Sequence, residues 1–267
     1  MLVPNNNGST GGAPMRKEDE HPIIIDVQDL RHIYHNGVAA LNGVSLQIRK
    51  GEFIAFIGQN GSGKTTVTKH FVGLLKPTSG RVMVYGQDTA NAKITDLARK
   101  VGYVFQNADD QIFCSSVEDE VAYGLKNIKM PKDRIEDQVS RSLAALGIEH
   151  LKKSHPLALG WGDRQKVAIA SVLAIGPEVL ILDEPTTGQD LRGSYGILET
   201  CCRLNEQGTT IIVVTHQMEL VAEFCQRAYL MYRGGVLAQG KVGELFADES
   251  TLRKSHIVAP QITRFSV

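Results

Sequence analysis

The feature that most constrains this chain is a glycine-rich segment, residues 58–65, which separates two apolar segments. The preceding residues, 53–57, are all apolar, which indicates a buried strand. Afterwards Val67, Phe71 and Leu74 recur at the spacing of one helix face. A glycine-rich turn that ends in Lys-Thr between a strand and a helix is typical of a P-loop. The alternative, an ordinary glycine-rich turn, does not explain why all fixed positions of the P-loop motif are present in this setting. We therefore predict a site for a nucleoside triphosphate.

Each part of this segment has a physical task in phosphate binding. The glycines allow backbone N–H groups to converge on a phosphate, and the N-terminus of the following helix adds partial positive charge. We predict that Lys64 reaches the β- and γ-phosphates as a catalytic point charge and that Thr65 holds Mg2+. The other predicted nucleotide contacts are Gly58, Asn60, Gly61, Ser62, Gly63 and Thr66.

Two further apolar segments end in polar side chains that could act on a bound phosphate. One of them ends in Asp183 and Glu184, and the other ends in His216. In open α/β sheets ligands bind beyond the carboxyl ends of the strands, so these side chains should meet the P-loop in one crevice. We predict that Asp183 holds Mg2+, that Glu184 deprotonates an attacking water, and that His216 contacts the γ-phosphate or positions that water. The alternatives are a solvated turn for the acids and a structural role for the histidine.

Tyr34 precedes the P-loop and is followed by a turn signal at residues 35–37. An aromatic side chain at this place could stack on an adenine ring. A half-buried strand tyrosine explains the spacing equally well, so the residues alone leave both interpretations open.

The chain divides into segments of different composition. Residues 1–22 are polar and predict a disordered tail, of which residues 1–14 could be an expression remnant. Residues 23–232 predict one α/β domain, interrupted at about residues 107–159 by a helical insert that could bind a partner. Residues 233–267 form a C-terminal extension whose role cannot be read from its pattern.

Two helix signals lie within the predicted insert. Ser116 and Asp119 indicate a capping box at the start of one helix. Gly147 predicts the end of a second helix. The apolar face of that second helix consists of Ile135, Val139, Leu143 and Leu146.

Composition limits the partners of the chain. Its 29 Lys and Arg balance 29 Asp and Glu, so there is no global attraction to nucleic acid or to anionic lipid. Gly176 and Pro177 interrupt the longest apolar stretch, so we predict no membrane span and expect any membrane role to be peripheral. The four cysteines have no metal-ligand spacing.

Residues 23–232 as a whole resemble an ABC-type ATPase cassette. Residues 58–65 match its Walker A motif, and residues 179–184 match its Walker B motif with the catalytic glutamate. The resemblance implies an α/β fold, an ABC-type P-loop NTPase with a RecA-like core, an antiparallel β subdomain and an inserted helical subdomain. It also implies that the nucleotide is ATP and that the metal ion is Mg2+.

Other motifs of this family follow in the expected order. Gln106 matches the Q-loop, residues 188–190 match the D-loop, and His216 matches the switch histidine. The resemblance implies catalytic and Mg2+-binding roles for Gln106, and it favours adenine stacking by Tyr34, which stands where the family has its stacking aromatic. In such cassettes two subunits sandwich two ATP molecules head to tail, each signature motif facing the partner's Walker A motif. ATP binding closes the dimer, and hydrolysis reopens it.

A narrower resemblance is to the ATPases of cobalt transporters and energy-coupling factor (ECF) importers. It rests on residues 104–113, 184–190 and 260–264. It implies a second ATPase subunit, identical or paralogous, and a transmembrane coupling subunit that places a helix near residues 107–111. A small substrate-binding membrane subunit would be contacted indirectly, and no nucleic acid is expected. Such complexes import vitamins or metal ions, so the expected location is the cytoplasmic face of the cell membrane.

The signature motif departs from the family at its second position. The usual Leu-Ser is replaced by Leu159 and Gly160, and Trp161 follows. Gly160 lacks the hydroxyl that would donate to the partner's γ-phosphate, although the helix N-terminus and the Gly162 backbone can still attract a phosphate. Loss of one charge-assisted hydrogen bond costs on the order of 1.5–3 kcal/mol, which predicts a weakened composite site. The alternative function is therefore a catalytically weak, regulatory or structural ATP-binding partner in a heterodimer.

Two other classes of nucleotide-binding protein fit the sequence poorly. The heads of DNA-repair and chromosome ATPases carry a long coiled coil between Walker A and signature. Here the corresponding segment, residues 66–158, is short and has no sustained heptad repeat. A GTPase would need a guanine-reading Asn-Lys-x-Asp motif, which does not occur in the chain.

Overall fold

The computed structural model describes residues 21–260, which form two β-sheets and the helices around them. The strands are β1 (Ile23–Ile33), β2 (Ala39–Arg49), β3 (Phe53–Ile57), β4 (Ser79–Val84), β5 (Gln87–Asp88), β6 (Val101–Val104), β7 (Val179–Asp183), β8 (Thr210–Val214), β9 (Arg227–Tyr232) and β10 (Gly235–Lys241). The α-helices are α1 (Lys64–Phe71), α2 (Ile94–Ala98), α3 (Val117–Asn127), α4 (Lys132–Ala145), α5 (Trp161–Leu173), α6 (Leu191–Glu206), α7 (Met218–Phe224), α8 (Val242–Ala247) and α9 (Glu249–Lys254). The predicted tail, up to residue 20, and residues 261–264 lie outside the described residues.

The larger sheet places the predicted functional segments side by side. Its strand order is β10-β9-β3-β8-β7-β6, with β10 antiparallel to β9 and the other pairs parallel. Every residue of β3, β7 and β8 is buried, as expected for apolar strands that are covered on both faces. Because these three strands are adjacent and parallel, their carboxyl ends lie at one edge of the sheet. The P-loop, Asp183 and His216 all follow at that edge.

The smaller sheet, with strand order β2-β1-β4-β5, is antiparallel. Its buried residues Ile25 and Val44 share one hydrophobic core with Phe71 of α1 and Phe56 of β3. This core joins the smaller sheet to the P-loop helix and to the larger sheet. The separate antiparallel sheet, and the helices inserted between β6 and β7, confirm the predicted α/β fold class.

The helices between β6 and β7 begin and end where the sequence signals lie. Ser116 is the N-cap of α3, and its Oγ accepts a hydrogen bond from the Asp119 N–H at 3.1 Å. After α4 the chain turns at Gly147, whose φ is +66°. Helix α5 starts beyond the predicted end of the insert, yet it packs on α3 and α4 as well as on β6. The boundary near residue 159 therefore stays a prediction.

The helix after the P-loop is shorter than predicted. Val67 and Phe71 are fully buried as expected, but α1 ends at Phe71 and the Leu74 side chain is 43% exposed. The expected helical face is wrong at Leu74 because Gly73, with a φ of +72°, turns the chain out of the helix before that residue.

The described part of the C-terminal extension belongs to the larger sheet and its surroundings. Strand β10 pairs with β9, and Val242 and Phe246 of α8 share a core with Ile57 of β3. The predicted boundary at residue 233 stays a prediction. Within residues 21–260, no helix combines the length and the apolar character needed to cross a bilayer.

Candidate functional site

The P-loop connects β3 to α1 in a tight backbone turn. Gly63 caps α1 with a φ of +103°, and a Cβ built on it would lie 2.8 Å from the Leu41 side chain, so only glycine fits there. The Lys64 Nζ donates to the backbone oxygens of Gly58, at 2.8 Å, and Gln59, at 3.1 Å. The loop therefore folds around the ammonium group. The N–H groups of the first turn of α1 have no acceptor within the helix and can serve an anion.

The tip of the loop carries the remaining predicted phosphate contacts. Asn60 and Gly61 are exposed, whereas Ser62 is buried. The Ser62 Oγ has no hydrogen-bond partner among residues 21–260. A buried hydroxyl without a partner costs free energy, which a phosphate oxygen at this loop would recover.

Lys64 is buried among groups of both signs. Its exposed fraction is only 6%. Burial lowers the pKa of the Lys64 ammonium, and the nearby carboxylates of Glu184 and Asp183 oppose this shift. A buried cation is costly unless it is paired, so this position favours an anionic ligand such as a phosphate.

Asp183 ends β7, is almost fully buried, and accepts two hydrogen bonds. The Thr65 Oγ1 donates to Oδ1 at 2.9 Å, and the Tyr103 hydroxyl donates to Oδ2 at 2.9 Å. Burial raises the pKa of Asp183, and the bonds from Tyr103 and Thr65 limit that rise. The strand-end pattern predicted that β7 would meet the P-loop, and the contact between Thr65 and Asp183 is where they meet.

Tyr103 is a residue of this site that the sequence analysis did not single out. It lies on β6, next to β7, and its hydroxyl is 3.3 Å from the Thr68 Oγ1 of α1. Burial raises the pKa of Tyr103, and the Asp183 carboxylate raises it further, so the hydroxyl stays protonated and donates. A tyrosine in an otherwise apolar strand, beside the strand that ends in Asp183, is the signal that could have found it.

Glu184 follows β7 directly and adopts a left-handed backbone conformation, with a φ of +48°. Its N–H donates to the Val214 oxygen of β8 at 2.8 Å. Its side chain is 8% exposed, and the Oε2 atom lies 2.9 Å from the His216 Nδ1. The structure thus brings Glu184 and His216 together at the edge that Asp183 and the P-loop share.

Tyr34 lies beside the start of α1. Its hydroxyl is 3.1 Å from the Thr66 Oγ1, and its ring meets the His32 ring edge to face at a centroid distance of 4.6 Å. The side chain is 36% exposed, which leaves part of the ring open to solvent next to the P-loop.

Gln106 and the two signature glycines complete the set of predicted residues. Gln106 is exposed and lies two residues after β6, beside the strand that ends in Asp183. Gly160 is the N-cap of α5, and Gly162 lies in the first turn of that helix. A Cβ on Gly162 would lie 2.8 Å from the Gln189 Oε1, so this glycine packs on the segment after β7 rather than on the P-loop.

A protein-family model described as ABC transporter matches residues 41–187. The energy-coupling factor transporter ATP-binding protein EcfA of Methanocaldococcus jannaschii is 39% identical over 241 residues, which cover 90% of this chain and 86% of that protein. The protein TTE1589 of Caldanaerobacter subterraneus subsp. tengcongensis is 44% identical over 257 residues, 94% of this chain. This chain spans 45% of the length of TTE1589.

Solved structures with a similar fold agree with these matches. The cbiO1 structure from Clostridium perfringens, described as part of the ABC transporter complex cbiONQ, has a TM-score of 0.78 and 38% identity, and the match covers 91% of this chain and 98% of that one. The dimeric MJ0796 cassette in a post-hydrolysis state, bound to ADP and Pi, has a TM-score of 0.75 and 29% identity, over 82% of this chain and 99% of that one. With its P-loop, its acidic strand end and these matches, the chain belongs to the ABC transporter family as an ATP-binding cassette.

Proposed function

We propose that this chain is the ATP-hydrolysing subunit that energises an ECF-type importer for vitamins or metal ions. The EcfA relatives and the cbiO1 structure support this assignment. The observation that carries it is the convergence of Lys64, Asp183 and Glu184 at one edge of the larger sheet.

The nucleotide binds across the P-loop in this proposal. Lys64 and the backbone N–H groups of residues 58–66 hold the phosphates, and the unpartnered Ser62 hydroxyl donates to one of them. The exposed ring of Tyr34 stacks on the adenine at the start of α1.

Mg2+ is the proposed metal ion, and Thr65, Asp183 and Gln106 would hold it. The Thr65 Oγ1 and the Asp183 Oδ1 are hard oxygen ligands and lie 2.9 Å apart. Proteins hold Mg2+ through one or two carboxylates together with substrate phosphates and water, which suits a single carboxylate beside a phosphate-binding loop. The bound ion would neutralise charge on the β- and γ-phosphates.

Glu184 is the proposed general base. Its carboxylate is buried at the strand end, where it can take the proton of the water that attacks the γ-phosphorus. His216 orients this carboxylate through Nδ1, and the Lys64 ammonium stabilises negative charge on the transferred phosphoryl group. Gln106 lies at the same edge of the sheet and takes part in positioning.

Two cassettes act together in this proposal. The signature at the start of α5 serves the P-loop of a second ATPase subunit, and that subunit's signature completes the site formed by residues 58–65. ATP binding closes the dimer, and hydrolysis reopens it; the dimeric MJ0796 structure supports such an arrangement.

The helices between β6 and β7 pass this motion to a transmembrane coupling subunit near residues 107–111. Phe113 and Tyr123 lie next to that segment, are 61% and 45% exposed, and meet edge to face at 4.6 Å, which suits a docking surface. The substrate-binding membrane subunit is reached only through the coupling subunit. The chain is therefore a peripheral subunit at the cytoplasmic face of the membrane.

Two measurements test this function. Mg2+-dependent ATP hydrolysis should collapse in Lys64→Ala and in Glu184→Gln, and normal turnover in Glu184→Gln would refute the role of that glutamate. Affinity purification from native membranes should retain multi-span membrane proteins. A chain that hydrolyses ATP but retains no such partner would overturn the transport assignment.

The second candidate function is a regulatory or structural ATP-binding partner in a heterodimer. In this function little ATP is hydrolysed at the other subunit's P-loop, which is the site that the signature of this chain faces. Gly160 favours it, since the N-cap position of α5 has no hydroxyl there. A rise in dimer ATPase activity on restoring a serine at this position would support it.

A further inference from the structure

Trp161, the only tryptophan of the chain, links the signature helix to the segment after β7. It is the first residue of α5, and its indole Nε1 donates to the backbone oxygen of Thr187 at 2.9 Å. Thr187 lies three residues after Glu184, in the connection from β7 to α6. The bond therefore joins two elements that are remote in sequence, at a position next to the proposed general base.

Glycines on both elements leave the room that this contact needs. A Cβ on Gly188, whose φ is +73°, would lie 2.8 Å from the indole Nε1. Cβ atoms on Gly162 and Gly193 would lie 2.8 Å and 2.7 Å from the Gln189 Oε1. The large side chains of Trp161 and Gln189 thus occupy space that any other residue at these three positions would fill. The two segments interlock.

The Trp161 ring is itself held in place by its neighbours. The Arg164 guanidinium lies 5.7 Å from the ring centroid. Its Nη1 also bonds both carboxylate oxygens of Asp109, at 2.8 Å and 3.0 Å. Asp109 lies within residues 107–111, the segment that contacts the coupling subunit in the proposed function. The indole therefore has a second neighbour besides Thr187, and that neighbour is itself held by an ion pair.

A short chain of hydrogen bonds leads from the indole to the main chain of Glu184. Trp161 donates to the Thr187 oxygen, and the Thr187 N–H donates to the Glu184 oxygen at 3.2 Å. Glu184 has the positive φ of +48° that costs free energy in a residue with a side chain, and such a conformation persists only where its surroundings hold it. The turn that Trp161 contacts is one of these surroundings, the bond from the Glu184 N–H to Val214 is another, and the contact of the carboxylate with His216 is a third.

We propose that Trp161 is a positioning residue for Glu184. Its side chain connects the signature motif of this chain to the general base of the same chain. The inference rests on the proposed function, in which the signature faces the partner's nucleotide and Glu184 faces this chain's own. Through Trp161, the position of Glu184 at this chain's own ATP site then depends on whether a nucleotide occupies the partner's site, which the signature of this chain faces.

The test is ATP turnover of Trp161→Phe in the full complex, with Tyr195→Phe as the matched control. Both changes keep a ring and delete one donor, and the Tyr195 hydroxyl bonds Glu223 between α6 and α7, outside the proposed site. Trp161→Phe should lower kcat about fivefold, or about 1 kcal/mol of activation free energy, with the KM for ATP and the melting temperature unchanged. Tyr195→Phe should leave kcat unchanged. An unaltered kcat in Trp161→Phe, or a higher KM together with a lower melting temperature, would overturn the proposal.

Two further measurements separate positioning from packing. Because the chain has one tryptophan, benzothienylalanine, which has the same shape but no N–H donor, can replace it selectively. This protein should lose as much kcat as Trp161→Phe, and full activity in it would refute the hydrogen-bond route. In a double-mutant cycle, Trp161→Phe should not lower the residual turnover of Glu184→Gln, whereas additive losses would contradict action through Glu184. If the unaltered complex hydrolyses no ATP, it is the proposed function that fails instead.

Discussion

A solvent-exposed histidine holds a buried carboxylate in this protein. The His216 Nδ1 lies 2.9 Å from the Glu184 Oε2, although 56% of the His216 side chain is exposed and only 8% of the Glu184 side chain is. Since an ionised carboxylate only accepts hydrogen bonds, the Nδ1 atom carries the proton and donates. The general base proposed here thus takes its orientation from a residue whose own side chain is mostly exposed to solvent.

His216→Ala should lower kcat for ATP about tenfold. A hydrogen bond to a charged group contributes about 1.5–3 kcal/mol, and the lower end applies here because water can replace an exposed imidazole. His216→Asn, whose amide nitrogen can stand near the position of Nδ1, should retain more activity than His216→Ala. Steady-state turnover at saturating ATP distinguishes the two variants. Equal losses of kcat in both would show that the hydrogen bond from His216 to Glu184 does not contribute to turnover.

Asp183 should destabilise the nucleotide-free protein at neutral pH. Burial raises the pKa of Asp183 above its value in the unfolded chain, so its contribution to the free energy of unfolding is present at low pH and is lost as the pH rises through the raised pKa. Asp183→Asn removes this ionisation. The variant should therefore melt at a higher temperature than the unaltered protein at about pH 8, with a smaller difference at about pH 5.

The measurement is thermal denaturation across this pH range without Mg2+. The same variant should lose ATP hydrolysis and should gain less thermal stability from Mg2+ and ATP than the unaltered protein does. A lower melting temperature for Asp183→Asn at every pH would contradict the expected cost of the buried carboxylate.

Tyr34→Ala should weaken ATP binding about 5- to 150-fold, because stacking of a base on an aromatic ring is worth about 1–3 kcal/mol. Tyr34→Phe keeps the ring and loses only the bond to Thr66, so its affinity should stay close to that of the unaltered protein. Calorimetric titration in the Glu184→Gln background avoids hydrolysis during the measurement. Equal weakening in both variants would assign the effect to the hydroxyl and refute stacking.

The sequence predicted the parts of the fold that repeat a strong local pattern. Fully apolar strands that end in polar residues predicted the parallel core, and the contact between Thr65 and Asp183 follows from the shared strand edge. Ser116 and Gly147 marked helix ends because capping depends on neighbours in sequence. The catalytic and binding roles of these residues stay predictions that the variants above would test.

Contacts between remote segments were not predictable in the same way. Tyr103 bonds Asp183 because β6 and β7 pair in one register, and no local pattern fixes that register. The bond from Trp161 to Thr187 depends on how α5 packs beside the segment after β7. The helical period of apolar residues continues in the sequence as far as Leu74 and so predicts that residue on the buried helix face. In the structure the chain has already left the helix at Gly73, and Leu74 is exposed.

Gly160→Ser should raise the ATPase activity of the dimer. The position is open, since a Cβ on Gly160 would have no heavy atom within 4 Å in the described part of the chain. The restored hydroxyl could donate to the partner's γ-phosphate, and a charge-assisted hydrogen bond of about 1.5 kcal/mol corresponds to about a tenfold gain in turnover. Stability should change little, because serine in place of glycine at an N-cap gains only about a few tenths of a kcal/mol.

Gly160→Ala is the matched control for this gain, because it adds a Cβ at the same open position without a hydroxyl. Steady-state ATPase activity should rise in Gly160→Ser and stay near the unaltered level in Gly160→Ala. A rise in both variants would assign the effect to the backbone of the first turn of α5. If neither variant changes turnover, the missing hydroxyl does not limit this site. The second candidate function, a catalytically weak ATP-binding partner, then loses the observation that favours it.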